Sequence, residues 1–413
     1  MLGVFGGVGA GEAKVRLPLA VWILAVVGFF IALGFGVMSP ILPVYARTFG
    51  VSSFLIGLVV SSLSILRIST MPLAGTFLSR IGPREMAIAG CILIAITTAL
   101  IGVSNSYWGV LLWRGLSGVG SAMYGVSAMS LLFANAPTQL RGRANSLYSG
   151  GFVLGGMAGP TIGGLLSQVS IHFPFYFYAV TLVASAIVFV AFMPSTRPAA
   201  RHHRTASSVP LAASFRDRRF RATLVASFAN GWQSNGVRAL VVPLFVAEIL
   251  KQSPVSTGIA FAVAAAAQAA CLPAIGWAVD HVGRRRMLML GAVLAAVAGA
   301  CFVTWHSLPV LIVVLCVYAV GASALGSASQ AMLADTVPAT AGSSLSAYQM
   351  AGDAGLILGP LVAGAVIDAS SMTWAVGIGS VLFAVAAILA WFTPKQRMPM
   401  IGTAAQSVEP DAP

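Results

Sequence analysis

Charge is scarce in this sequence. Only 8% of its 413 residues are Asp, Glu, Lys or Arg, against about 25% in an ordinary soluble domain, while 58% are apolar. A chain so composed cannot cover itself with polar surface, which excludes a water-soluble globular fold. Cysteine is scarce as well. Cys91, Cys271, Cys301 and Cys316 fall inside apolar stretches at unrelated spacings, so neither a disulfide framework nor a zinc site is indicated. Of the five histidines, His202 and His203 sit in a polar connection, His281 in a loop, and His172 and His306 near other loops; none shares an apolar run with an acid at ligand spacing. No Gly-x-x-x-x-Gly-Lys-Ser/Thr string occurs, which argues against nucleotide hydrolysis. No cofactor or metal is called for, and the nucleophile or acid–base cluster of an enzyme is missing.

What the chain has instead is long apolar runs, with a mean hydropathy of +0.92. A bilayer-spanning helix needs about 20 apolar residues. Gly, Pro, Asn and Arg breaks divide the sequence into twelve such spans, at 18–45, 53–78, 85–104, 107–134, 144–169, 175–193, 222–249, 255–279, 287–305, 309–334, 344–369 and 373–393. The first is too long and wrongly flanked for a cleaved signal peptide. The expected fold is an all-α polytopic membrane protein in a lipid bilayer. Its segments are a tail at 1–17, six helices within 18–193, an Arg-rich connection at 194–221, six helices within 222–393, and a tail at 394–413. A surface-lying amphipathic segment near Phe215 to Phe220 is an alternative reading of part of the connection.

The net charge of +13 reports orientation rather than nucleic-acid binding. Of the 23 Lys and Arg, 18 fall on one set of loops, two on the other (Arg47, Lys251) and three inside spans (Arg67, Arg114, Arg238). By the positive-inside bias both termini are expected in the cytoplasm, with the protein in the cell's inner (plasma) membrane.

The two halves repeat each other. Residues 72–90 align without gaps on 273–291 at an offset of 201, and 145–164 align on 345–364 at an offset of 200. Inside the first match lie Gly75, Ser79, Arg80, Gly82 and Arg84; inside its counterpart lie Gly276, Asp280, His281, Gly283, Arg284 and Arg285. The fifth span carries Gly151, Gly155, Gly159 and Gly163 at four-residue spacing, with Pro160 and Gly164 adjoining, and the eleventh repeats this as Ala351, Gly355, Gly359 and Ala363. Such spacing strips one helix face of side chains, so that a neighbouring backbone can approach closely. Arg114, Gly118 and Gly120 form an Arg-x-x-x-Gly-x-Gly string in the fourth span.

These strings resemble the major facilitator superfamily over about residues 18–393. The resemblance implies two pseudo-symmetric six-helix bundles that rock about a central cleft. The loop strings are similar to that family's gating signature, in which an acid at one helix end latches onto the positive N-terminal end of a helix from the other half. Ser79 stands where the acid is usual, so only Asp280 could latch, toward the start of the fifth span near Ala144. The glycine string from Gly155 to Gly164 resembles the antiporter signature of the drug/proton antiporter branch, with Ser146 in place of an earlier glycine. Arg114 matches the position that the family connects with proton coupling.

Asp353 is the one acid deep in a span, about 14 Å from the cytoplasmic end of the eleventh; Arg67 lies about 16 Å from that end of the second. The resemblance makes these spans neighbours across the halves, so an ion pair is expected there. Hydrocarbon favours a neutral carboxyl group and a nearby guanidinium a charged one, so parting such a pair would favour proton uptake. A permanently satisfied pair holding the halves in register is the alternative. Arg114, Arg238, Asn235, Gln233 and Gln268, with Tyr124, Phe35 and Met38 as apolar walls, are expected to line a substrate cavity, although each polar residue could equally bond neighbouring helices. Two cations and few acids suit neutral, amphiphilic or anionic solutes. The expected function is proton-driven export of drug-like or amphiphilic small molecules by a monomer; uptake of an organic anion or nutrient is the alternative.

Overall fold

In lipid every backbone N–H and C=O must be satisfied within the chain, so apolar runs of this length have one outcome, the helix. A computed structural model describes residues 17–137, 140–193, 211–336 and 342–393. It contains α1 (Leu19–Arg47, interrupted at Pro40), α2 (Ser53–Ile81), α3 (Pro83–Gly102), α4 (Tyr107–Asn135), α5 (Arg141–Val169) and α6 (Phe173–Phe192). After the connection come α7 (218–249), α8 (Pro254–His281), α9 (Arg284–Ala300), α10 (Leu308–Thr336), α11 (Gly342–Ala369) and α12 (Met372–Trp391). Ten of these are long and apolar enough to cross a membrane. The other two are α9, with 17 residues, and α7, which is broken by π segments at Gly231–Val237 and Phe245–Ile249.

Two boundaries depart from expectation. α9 stops at Ala300 and gives way to a turn at 301–304, short of the expected 305. α7 starts at Arg218, inside the stretch assigned to the connection, because the Asp217 carboxylate accepts from the Arg219 N–H and caps the helix. A six-residue helix, Leu211–Arg216, precedes it, and the Phe215 and Phe220 rings meet edge to face at 5.5 Å. Residues 194–210, with His202 and His203, lie outside the described residues, as do both tails through 16 and from 394.

The packing order repeats between halves. α1 lies against α5 and α6, α2 against α4, and α3 against α4 and α6; α7, α8 and α9 take the corresponding neighbours among α10, α11 and α12. Between halves, α2 packs on α11 and α5 on α8, two contacts that exchange under the repeat. The loop glycines of the repeat have a backbone cause: Gly82 and Gly283 hold φ of 102° and 103°, a region closed to most side chains.

Small residues set how closely the helices approach. A side chain at Gly155 would run into the Phe29 carbonyl of α1, and one at Gly163 into the Val37 carbonyl. Gly151 meets Ala25 and Gly159 meets Gly36 on the same helix. In the second half, Gly355 sits against the Phe228 carbonyl and Gly359 against Trp232 of α7. The Pro160 carbonyl and Gly164 meet Gly258 and Val255 of α8, while the Pro160 ring stays against Gly36 of α1; the Pro360 carbonyl and Gly364 likewise meet Gly57 and Phe54 of α2, with the Pro360 ring against Gly236.

These contacts between halves gather toward one end of the molecule. At the other end, the one carrying the Arg-rich loops, Gly75 of α2, Gly276 of α8 and both Gly142 and Gly150 of α5 have nothing within 4 Å of where a side chain would begin. The halves thus close on each other at the charge-poor end and part toward the Arg-rich end, leaving a cleft between them.

Candidate functional site

Arg67 of α2 and Asp353 of α11 face each other across that cleft, with Nη2 3.1 Å from Oδ1. The side chains are 30% and 27% exposed, so the pair is not sealed between helices. Ser61 adds a second link at this seam, donating to the Ile357 carbonyl at 2.7 Å.

Deeper in the cleft, toward the closed end, stand two further guanidiniums. Arg114 of α4 is buried, with Nη1 3.8 Å from the Met38 sulfur of α1 and its carbon centre 5.6 Å from the Phe35 ring. Its Nε has no hydrogen-bond partner among the described residues. Arg238 of α7 donates from Nε to the Ser234 carbonyl at 3.0 Å and lies over the rings of Phe261 and Tyr318, at 5.4 and 5.9 Å. Tyr318 and Ser234 share a hydrogen bond of 2.7 Å, and Ser234 donates to Asn230 at 2.7 Å. Phe35 is 40% exposed and Asn235, its repeat counterpart, is exposed as well, which places this face of α1 and α7 on the cleft. Gln268 of α8 donates to Ser323 of α10 at 3.3 Å.

Three expected cavity residues lie elsewhere. Tyr124 is buried inside the first bundle, its hydroxyl 3.4 Å from that of Tyr148 and its ring near Phe189. Gln233 is fully buried and points away from the cleft, between Gly299 of α9 and Gly379 of α12, with neither amide atom hydrogen-bonded. It sits in the π segment of α7, where the wider turn moves a residue off the face that a 3.6-residue period assigns it. Met38 is fully buried and takes part only as the sulfur beneath Arg114.

The loop signature residues are tied within their own halves. Arg84 donates to the carbonyls of Phe189 and Val190 at the end of α6, at 3.3 and 2.7 Å, and Arg285 does the same at the end of α12, to Trp391, whose ring it also covers. Cations at helix C-termini satisfy carbonyls that have no partner in the helix. Arg284 pairs with Asp335 of α10, and Arg80 is exposed. Asp280 is exposed and, among the described residues, holds no ion pair, so the latch toward α5 near Ala144 is not made in this conformation.

A closure that sequence reasoning missed stands at the opposite end. Arg47, at the end of α1, donates from Nε to Glu248 Oε1 at 2.5 Å, from Nη1 to the Val51 carbonyl at 2.9 Å and from Nη2 to Ser53 Oγ at 3.2 Å. Beside it, the Asp368 carboxylate of α11 accepts from the Ser53 and Phe54 N–H groups at the start of α2, both at 2.8 Å. A signal for the first pair was present: positions 47 and 248 are related by the same offset of 201 that aligns the loops, and carry opposite charges.

Other proteins share this arrangement. A bacterial homolog of the human lysosomal transporter Spinster, described as inward-facing and unoccupied, superposes with a TM-score of 0.76 at 15% identity, over 91% of this chain and 97% of that one. The nucleoside transporter NupG superposes with a TM-score of 0.74, also at 15% identity, over 90% and 99%. In sequence, the Quinolone resistance protein NorA of Staphylococcus aureus is 28% identical over 171 residues, 40% of this chain and 42% of its own length. An uncharacterized MFS-type transporter of Methanocaldococcus jannaschii is 28% identical over 174 residues, 42% and 45% of the two chains. The alignments with these curated relatives therefore span less than half of their length. The sequence profile described as Major Facilitator Superfamily matches twice, at residues 24–237 and 223–408. The first match covers the first bundle and the start of α7, the second covers the second bundle, and the chain thereby belongs to the Major Facilitator Superfamily.

Proposed function

We propose that this transporter exports drug-like or amphiphilic small molecules from the cell in exchange for protons, by alternating access. The observation that carries the reading is the Arg67–Asp353 pair, which bridges the two halves and is only partly covered by protein. When the halves rock, the pair parts; the carboxyl group left in the cleft takes up a proton, and re-forming the pair releases it. A proton gradient then drives the cycle without any bound nucleotide. The resemblance of the Gly155 to Gly164 string to an antiporter signature and the partial likeness to a quinolone resistance protein support export over uptake.

The positive-inside bias of the 18 basic residues on one set of loops supports a cytoplasmic Arg-rich end and cytoplasmic termini, and on that orientation the conformation is open inward and closed outward. Arg47–Glu248 and the Asp368 contact hold the outer end shut. Both walls of the cleft belong to one chain, which supports action as a monomer. Inverted membrane vesicles with an imposed proton gradient test the reading with a fluorescent quinolone. Uptake into vesicles acidified inside, collapsing when the gradient is discharged, is expected. Movement of the compound in the opposite direction would replace export with symport.

A further inference from the structure

We infer that the compounds moved by this protein carry an anionic group, held at the closed end of the cleft by the guanidiniums of Arg114 and Arg238; the inference rests on the cleft being the transport path. Arg238 occupies in the second repeat the place of Met38 in the first, at an offset of 200, and Arg114 reaches that same Met38 from α4. Each half therefore brings one guanidinium to the corresponding place, by a different helix. Repeat symmetry alone did not put them there, because the residues differ.

The charges of the two groups are left unanswered by the protein. Among the described residues the acids of the spanning helices serve elsewhere or lie at the Arg-rich end: Asp353 pairs with Arg67, Asp335 with Arg284, Glu248 with Arg47 and Glu85 with Arg84, Asp368 caps the first turn of α2, and Asp280 is exposed at the end of α8. Among the described residues no carboxylate pairs with Arg114 or Arg238. Their neighbours are a thioether, hydroxyls, a carbonyl and the faces of Phe35, Phe261 and Tyr318. An unpaired cation deep in a bilayer is costly and ordinarily has a partner or a water-filled path to face. A guanidinium presents a planar fork of donors that matches a carboxylate, and the Arg114 Nε is a donor without an acceptor. The aromatic faces beside each guanidinium fit a lipophilic body attached to that anionic head. A bare organic cation would meet two like charges.

Three probes that share one dansyl fluorophore separate the charge classes: dansylglycine, its amide, and dansylcadaverine. Fluorescence titration of the purified full-length protein is expected to give a Kd for dansylglycine at least tenfold below those for the other two. Arg114→Gln and Arg238→Gln should each raise the dansylglycine Kd tenfold or more, and Arg114→Lys and Arg238→Lys should recover part of the loss. Melting curves without probe show which variants are folded, and the Lys variants carry the test if a Gln variant is not. The inference is overturned if the amide or the amine binds the unaltered protein as tightly as dansylglycine, if none of the three binds, or if folded Gln variants keep the original Kd. Selective dansylglycine binding without gradient-driven movement in vesicles would instead sink the transport mechanism and leave the anion site standing.

Discussion

A fixed ion pair could be replaced by apolar residues at little cost to stability, so the proposed role of Asp353 turns on whether its charge changes. Asp353→Asn keeps an acceptor for Arg67 and removes the titration. Proteoliposomes containing it are expected to lose pH-driven accumulation entirely while still exchanging substrate down its own gradient; unimpaired accumulation would take Asp353 out of the mechanism. Arg67→Ala leaves the carboxylate without its partner and should lower stability by about 1–3 kcal/mol, less than for a fully buried pair because both side chains touch the cleft. The double variant should be closer to the unaltered protein than the two losses added, which thermal melting of the four proteins would show. The pair was legible in the sequence because Asp353 is the one acid far from any helix end. Glu248 and Asp368 sit at helix ends where acids are ordinary, and only the closing of the halves gives them partners. Gln233 was misplaced for the opposite reason: a polar residue in an apolar run suggests a cavity, and the π turn that carries it into the bundle leaves no mark in the pattern.

At the scale of the helix, the row of small residues on α5 does one thing, which is to bring its backbone against α1. A methyl group at Gly155 or Gly163 has no room short of moving a backbone carbonyl. Gly155→Ala and Gly163→Ala should each destabilise by about 1–3 kcal/mol, more than the gain in helix propensity returns. Gly156, on the same helix but with nothing within 4 Å, should accept Ala within about 0.5 kcal/mol. Melting temperatures in one detergent would decide between this packing role and a role in transport alone, under which all three would melt alike. The spacing made the smooth face readable from sequence. Its partner was not, since a bare face says how closely something approaches and nothing about which helix does so. The helices themselves were readable nearly to their ends, because the bilayer leaves a long apolar run no other way to satisfy its backbone. Where the apolar run thins out, at Asp217 and after Ala300, caps and turns decided instead.

For the molecule as a whole, the seal at one end and the gap at the other make accessibility directional. With the native cysteines replaced, Gly156→Cys should react with a membrane-impermeant maleimide applied from the Arg-rich side, and at least tenfold more slowly from the other side. Adding Arg47→Ala and Glu248→Ala should narrow that ratio, by severalfold rather than completely, because a half-exposed pair contributes about 1 kcal/mol and the Asp368 contact remains. Equal labelling from both sides in the starting protein would mean that the outer seal does not hold in the membrane.

The Arg47–Glu248 contact has a bearing on how a duplicated chain can close at all. The same place in each copy is brought face to face, so copies that had stayed alike would set Arg against Arg or Glu against Glu and push that rim apart. One copy had to reverse its sign before the two could shut. The two polarities are not equivalent, because Arg47 also holds the Val51 carbonyl and Ser53 Oγ, so a variant with both charges swapped should keep the ion pair yet shut less firmly than the original.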